Sequence, residues 1–247
     1  MIQWREHFSI RHPHSQITNQ RENKNLLSIY PMTSNPPTSP IIIGLTGNIG
    51  VGKSTVLGIL RKLGAQTIDA DKVSHGVMLP GGLAYDAVIE AFGPEILLSD
   101  GSINRRHLAN IVFAFPDKLA RLEDIVHPAV EQAVQAEIEA ADAPVVVIEA
   151  IKLLEGELKS ICDEIWVVTA PEDVQIARLI EQRGLSERQA RGRMRSQSSQ
   201  EWKASQADVV IVNDKDLSAL EEQVAAAWKA MLERHREKTN VTFSRSA

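Results

Sequence analysis

"IIIGLTGNIGVGKST", residues 41–55, joins three stiff β-branched residues to four glycines within nine positions (44–52), and ends on Lys53-Ser54-Thr55. Residues 47–54 fit G-x-x-x-x-G-K-[ST], the spacing of a phosphate-binding loop. The apolar run reads as a strand that fixes where the loop begins. Glycines then let the backbone curl until successive N–H groups face one anion. The helix predicted next ("STVLGILRKLG") aims its positive end at the same place. In this pattern Lys53 reaches the β and γ phosphates and the Ser54 hydroxyl is a ligand for Mg²⁺. The segment therefore predicts a nucleoside triphosphate site at residues 47–54, with Mg²⁺ beside its phosphates.

Working outward, short Val- and Ile-rich runs at 41–46, 66–69, 145–148, 164–169 and 208–212 read as strands covered on both faces. Helical patterns occupy 53–63, 172–183 and 216–232. This alternation predicts an α/β fold with a parallel five-stranded sheet between helical layers. Residues 72–142 carry no good strand and read as a helical insertion. Residues 184–206 carry five arginines or lysines with almost no apolar face, and read either as a lid or as a solvated hairpin. Core segments are then 41–71, 143–183 and 207–233. Residues 1–40, with "NPPTSP" at 35–40, read as a disordered extension in which Met32 is a second candidate start. Residues 234–247 read as a flexible tail.

The 247 residues carry 27 Lys+Arg against 32 Asp+Glu. A net charge of −5 gives no sign of a general nucleic-acid binder, so an anionic ligand needs a local positive site. The longest apolar runs are far short of a membrane span. The lone Cys162 precedes a strand-like run and reads as packing, and a reducing, cytoplasmic setting is expected. Trp166 and Trp228 also read as packing. The sequence leaves oligomeric state open and is compatible with a monomer.

A GTPase switch is excluded by its missing motifs. No aspartate has glycine three residues later, and Asn213-Asp214-Lys215-Asp216 has the wrong order for N-K-x-D. "TIDADKV" instead places Asp69 and Asp71 at the carboxyl end of the second strand, beside the loop. They share strand parity if the strand continues that far. One carboxylate is then a candidate proton acceptor for an attacking hydroxyl and the other an orienter of metal-bound water. A helix cap is the competing account of Asp71.

With "LGAQTIDADKVSH", "LPGGLAYDAVIEAFGPEIL", "DGSINRRHLANIVF", "LEDIVHPAV" and "DVVIVND" added in order, the chain resembles the dephospho-CoA kinases over about residues 41–230. That resemblance implies a P-loop NTPase three-layer fold of the nucleoside-monophosphate-kinase type, with a helical acceptor domain (72–142) and a lid (184–206). It implies transfer of the γ-phosphate of ATP, bound with Mg²⁺ at Gly50, Val51, Gly52, Lys53, Ser54 and Thr55, to the ribose 3′-hydroxyl of dephospho-CoA. Asp71 falls on the proposed base, with Asp69 beside it. Arg105, Leu108, Phe113 and His127-Pro128 fall on the acceptor-side signature, and Arg193 and Gln197 on the lid pattern R-x-x-x-Q, with Arg178 also carried over to the lid set. Arg193 joins Lys53 and Asp71 as a catalytic candidate. Arg106 reads as helix surface, and His127 read unaided is a helix cap or core histidine.

The chain departs from the family pattern at three places. Asn48 stands where glycine is common, Gln182 where arginine is usual with Arg183 next door, and Lys152 where proline is common. The family's later acid has no clear match in Glu155 or Glu157, and Glu149 is a weaker candidate for a second metal-orienting carboxylate. Two other readings stay open from the residues: a kinase of this fold acting on a nucleoside monophosphate or other small alcohol, and a non-catalytic ATP-binding module.

Overall fold

The computed structural model describes residues 39–245, with side chains described as far as residue 237. The expected disordered extension over 1–40 lies almost wholly outside the described residues. Strands β1 (Ile41–Thr46), β2 (Gln66–Asp69), β3 (Val145–Glu149), β4 (Glu164–Thr169) and β5 (Val209–Val212) form one sheet in the order β2-β3-β1-β4-β5. Every pairing is parallel. Strand β1 is central, and the chain moves first to one side of it and later to the other. The crevice at the carboxyl ends of the strands beside β1 is where such a sheet binds ligands.

Strand alternation divides the apolar side chains between two cores. Val146, Ile148, Ile165 and Val167 face one side, packed with residues of α2 (Ala70–Gly76), α3 (Tyr85–Phe92), α4 (Arg105–Ala114) and α5 (Pro116–Glu139). Ile43, Leu45, Val145, Val147, Trp166 and Val168 face the other, against α1 (Lys53–Lys62) and α9 (Leu217–Arg245). Fully burying one such Val or Ile contributes roughly 1.5–3 kcal/mol. Gly44 sits in β1 because a Cβ there would meet Leu153 Cδ2 at 2.5 Å and Cys162 Sγ at 2.8 Å. Cys162 donates to the Leu158 carbonyl, and burial pushes its thiol up to about 12, which fits packing rather than chemistry. Trp166 is fully buried, its indole N–H donating to Glu164, and Trp228 packs under the same layer.

The helix read over 216–232 is longer than its apolar period suggested. It continues to Arg245, so the segment expected as a flexible tail from 234 has helical backbone that far. Between β4 and β5 lie α6 (Glu172–Arg183), α7 (Glu187–Arg195) and α8 (Gln200–Ser205). Among the described residues, no helix is long and apolar enough to cross a membrane.

Candidate active site

Strand β1 ends at Thr46 and the chain curls through Gly47–Gly52 into α1. Gly50 and Gly52 have φ of 81° and 94°, a region L side chains resist. A Cβ on Gly52 would also stand 2.2 Å from Asn213 Nδ2. The loop is strapped from outside. Arg178 on α6 donates to the carbonyls of Gly50 (3.3 Å) and Val51 (3.2 Å), and Asn213 Nδ2 donates to Val51 at 2.8 Å. Carbonyls held outward leave amides inward. Among the described residues, the N–H groups of Gly50, Val51, Gly52, Lys53 and Ser54 have no hydrogen-bond acceptor. Five adjacent open donors at a helix N-terminus form an anion cradle.

Lys53 lies under that cradle, 9% exposed, its Nζ donating to the Gly47 carbonyl at 2.9 Å and standing 3.6 Å from Glu149 Oε1. Burial lowers its pKa, opposed by the charges of Glu149 and Asp71, and Arg183 adds to the lowering. Burial raises that of Glu149; Lys53 opposes the rise, while Asp69 and Asp71 add to it. Sheet register sets Asp69, Glu149 and Leu45 in one row at the strand ends. Three carboxylates therefore share one crevice with Lys53. Ser54 and Thr55 are exposed at the start of α1. Among the described residues, no cluster of three or more His, Cys, Asp or Glu is arranged to hold a metal. One hydroxyl beside carboxylates suits a Mg²⁺ bound mainly through phosphates and water.

The strand stops at Asp69, which corrects the shared parity expected for the two aspartates. Asp69 is the helix cap, accepting from the Lys72 N–H at 3.0 Å and pairing with Lys72 Nζ at 2.9 Å. Asp71 stands in the first turn of α2, half-buried, and its charge acts on both Lys53 and Glu149. Arg178, carried over with the lid residues, is on α6 and braces the loop. Arg193 is half-buried on α7, and its guanidinium has no ion-pair partner among the described residues. Gln197, just past α7, accepts from the Ile49 N–H at 2.9 Å, while Asn48 Nδ2 donates to the Ser198 carbonyl at 3.0 Å. The 184–206 segment does have an apolar face: Ala190, with Leu185 and Met194 alongside, is buried in a cluster with Ile49 and with Leu179 of α6.

Arg105 opens α4 behind the cap Asn104, and burial lowers its pKa. Arg106 is exposed, as read. Leu108 is fully buried and Phe113 packs against the same core. His127 and Pro128 lie inside α5, so the cap reading of His127 does not hold. Sequence reasoning missed Asn213 except as a failed GTPase motif. Its place one residue past a strand's carboxyl end was the available signal. It also missed Lys203, counted only as a charge, which is 1% exposed on α8.

A model of the dephospho-CoA kinase family matches residues 41–219. The chain belongs to the dephospho-CoA kinase family. Within that family it is 44% identical over 198 residues to the enzyme so named from Geobacter metallireducens, covering 79% of this chain and 98% of the relative. The dephospho-CoA kinase of Streptomyces avermitilis is also 44% identical, over 78% of this chain and 94% of its own. The crystal structure of TT1252 from Thermus thermophilus superposes with a TM-score of 0.70 at 33% identity, covering 79% of this chain and 99% of that one. The dephospho-CoA kinase family match spans all five strands and the cradle, and thus the whole region where the charged groups converge.

Proposed function

We propose that the chain phosphorylates the ribose 3′-hydroxyl of dephospho-CoA with ATP, giving coenzyme A and ADP. The observation that carries this reading is the row of five open N–H groups beside Lys53, with Asp71 within electrostatic reach of that lysine, in a dephospho-CoA kinase family chain. The cradle holds the triphosphate, and Lys53 follows the negative charge that shifts toward the leaving β-phosphate oxygen. Asp71 accepts the proton as the 3′-oxygen forms its bond to the γ-phosphorus and the bond to the β-phosphate oxygen breaks. Mg²⁺, held by Ser54 and the phosphates, supplies further neutralisation when bound.

On this reading Asp69 fixes the start of α2 and thereby places Asp71. The 72–142 segment is the acceptor side, where Arg105 and His127 meet a substrate that carries a pyrophosphate. The 184–206 segment is the lid, closing Arg193 over the transferring group and excluding water. A cytoplasmic location belongs to the same reading. The test is turnover of purified protein with Mg·ATP and dephospho-CoA, with the product's phosphate position assigned by phosphorus NMR. Phosphate on the 3′-oxygen is expected. Preference for a panel of nucleoside monophosphates over dephospho-CoA overturns the acceptor.

A further inference from the structure

Lys203 is the most deeply buried charged side chain among the described residues, at 1% exposure. It sits on α8, and its Nζ donates to the Ile151 carbonyl, an oxygen that also accepts from Thr46 Oγ1 at 3.0 Å. Thr46 is itself fully buried and is the last residue before the phosphate loop. The next carbonyl, Gly47, is held by Lys53. Lys53 thus grips the chain directly where β1 becomes the cradle, and Lys203 reaches the same point through the Ile151 carbonyl that it shares with Thr46. One is in the loop's own helix and the other is on α8, beyond α7.

A neutral donor would satisfy the Ile151 carbonyl without desolvating a charge. The surroundings do not explain the charge either. Glu155 favours it, whereas Lys53 and Lys152 are close enough to oppose it. Glu155 is also engaged elsewhere, accepting from Ser198 Oγ at 2.7 Å. Cations gathered near the root of a phosphate-binding loop become favourable when a polyanion arrives. We infer that Lys203 is a positioning residue for ATP: it clamps the root of the phosphate loop through Ile151 and Thr46, and lends its buried charge to the triphosphate. This rests on the ATP reading of the cradle, and does not depend on which acceptor is used.

The experiment measures ATP affinity by calorimetry on the full chain, with wild type, Lys203→Met and Lys203→Gln, alongside turnover at saturating ATP. Loss of one nearby buried charge is expected to raise the Kd for ATP about tenfold in both variants. Turnover at saturation should stay within about threefold, because Lys203 contacts no reacting atom and binding is what it supports. Burial lowers the Lys203 pKa to about 8. Wild-type affinity for ATP should therefore weaken as the pH is raised through that value, and the variants should lack that limb.

A folded variant that binds ATP within about twofold of wild type, or that keeps the limb, overturns the inference. If neither variant folds, Lys203→Arg decides, because arginine keeps its charge through this range: a lost limb with ATP affinity retained supports the inference, and a limb that persists overturns it. A wild type that fails to bind ATP removes the ATP reading and this inference together. A wild type that binds ATP and ignores dephospho-CoA removes only the acceptor.

Discussion

The two walls of the crevice are built differently. On the phosphate-loop side the working groups are backbone amides, fixed by a sheet strand beneath and by Arg178, Asn213 and Gln197 around them. On the helical side the candidates are single side chains: Asp71 on α2, and Arg105 and His127 on α4 and α5 of the 72–142 segment. A backbone cradle cannot be edited one donor at a time, whereas helix-borne side chains can be removed singly with the scaffold left in place. Substitutions on the two walls should therefore separate in kinetics. Those at the cradle act through ATP and the transferring phosphate, and those on the helices through the acceptor.

The largest effect is expected from the one side chain that serves the cradle directly. Lys53→Met should lower turnover by roughly 10³-fold, as loss of a preorganised charge at developing negative charge does. Turnover within tenfold of wild type would erase the distinction between the walls, since the cradle would then not be the phosphate site.

Asp71→Asn should come next, cutting kcat by about 10²-fold with ATP affinity unchanged, as removal of a positioned base does. This variant probes the seam, because Asp71 is on the helical wall yet acts electrostatically on Lys53 and Glu149. Equal losses in ATP binding and kcat would make it part of the cradle instead.

How much of this was readable follows from the same contrast. Residues 41–55 declared strand, loop and helix because each step needs residue types few other structures tolerate together. Three of the five strands, β1, β2 and β4, have the bounds their apolar runs implied, and the others differ by one residue. What stayed hidden lies where sequence neighbours part company in space. The turn from β2 into α2 falls between two aspartates with one residue between them, and alternation cannot say which becomes the cap. The Ala190–Ile49 contact and the Lys203–Ile151–Thr46 link span 141, 52 and 105 positions, beyond the reach of any local period. Arg178 was carried over with the lid residues, and its hold on the Gly50 and Val51 carbonyls, 128 and 127 positions away, is equally invisible to local pattern.

On the acceptor wall a single deletion should be milder. Arg105→Gln removes a cation whose burial already lowers its pKa, which implies a site where charge is costly and retained. Loss of one charge-assisted hydrogen bond predicts a rise of about tenfold in the KM for dephospho-CoA. The KM for ATP should hold steady. A matching rise in both would show that the two walls are coupled and not separately editable.

The smallest effect concerns stability at the boundary, and its sign is the informative part. Burial raises the Glu149 carboxyl above its ordinary 4.5, and Asp69 and Asp71 reinforce this against the opposing pull of Lys53. The folded chain therefore holds that proton more tightly than the unfolded chain does. Such a group contributes stability that is fully present below the unfolded value and is lost as the pH rises through the folded one. Glu149→Gln deletes this dependence, so the variant should gain on wild type as the pH climbs from about 4.5 into the raised range. Thermal melts across that window would read the change, each kcal/mol appearing as about 2–4 °C in a domain of this size. Should the variant lose ground instead, Lys53 outweighs burial at Glu149, and the crevice is held together by a salt bridge rather than being primed with strained charges that await a nucleotide.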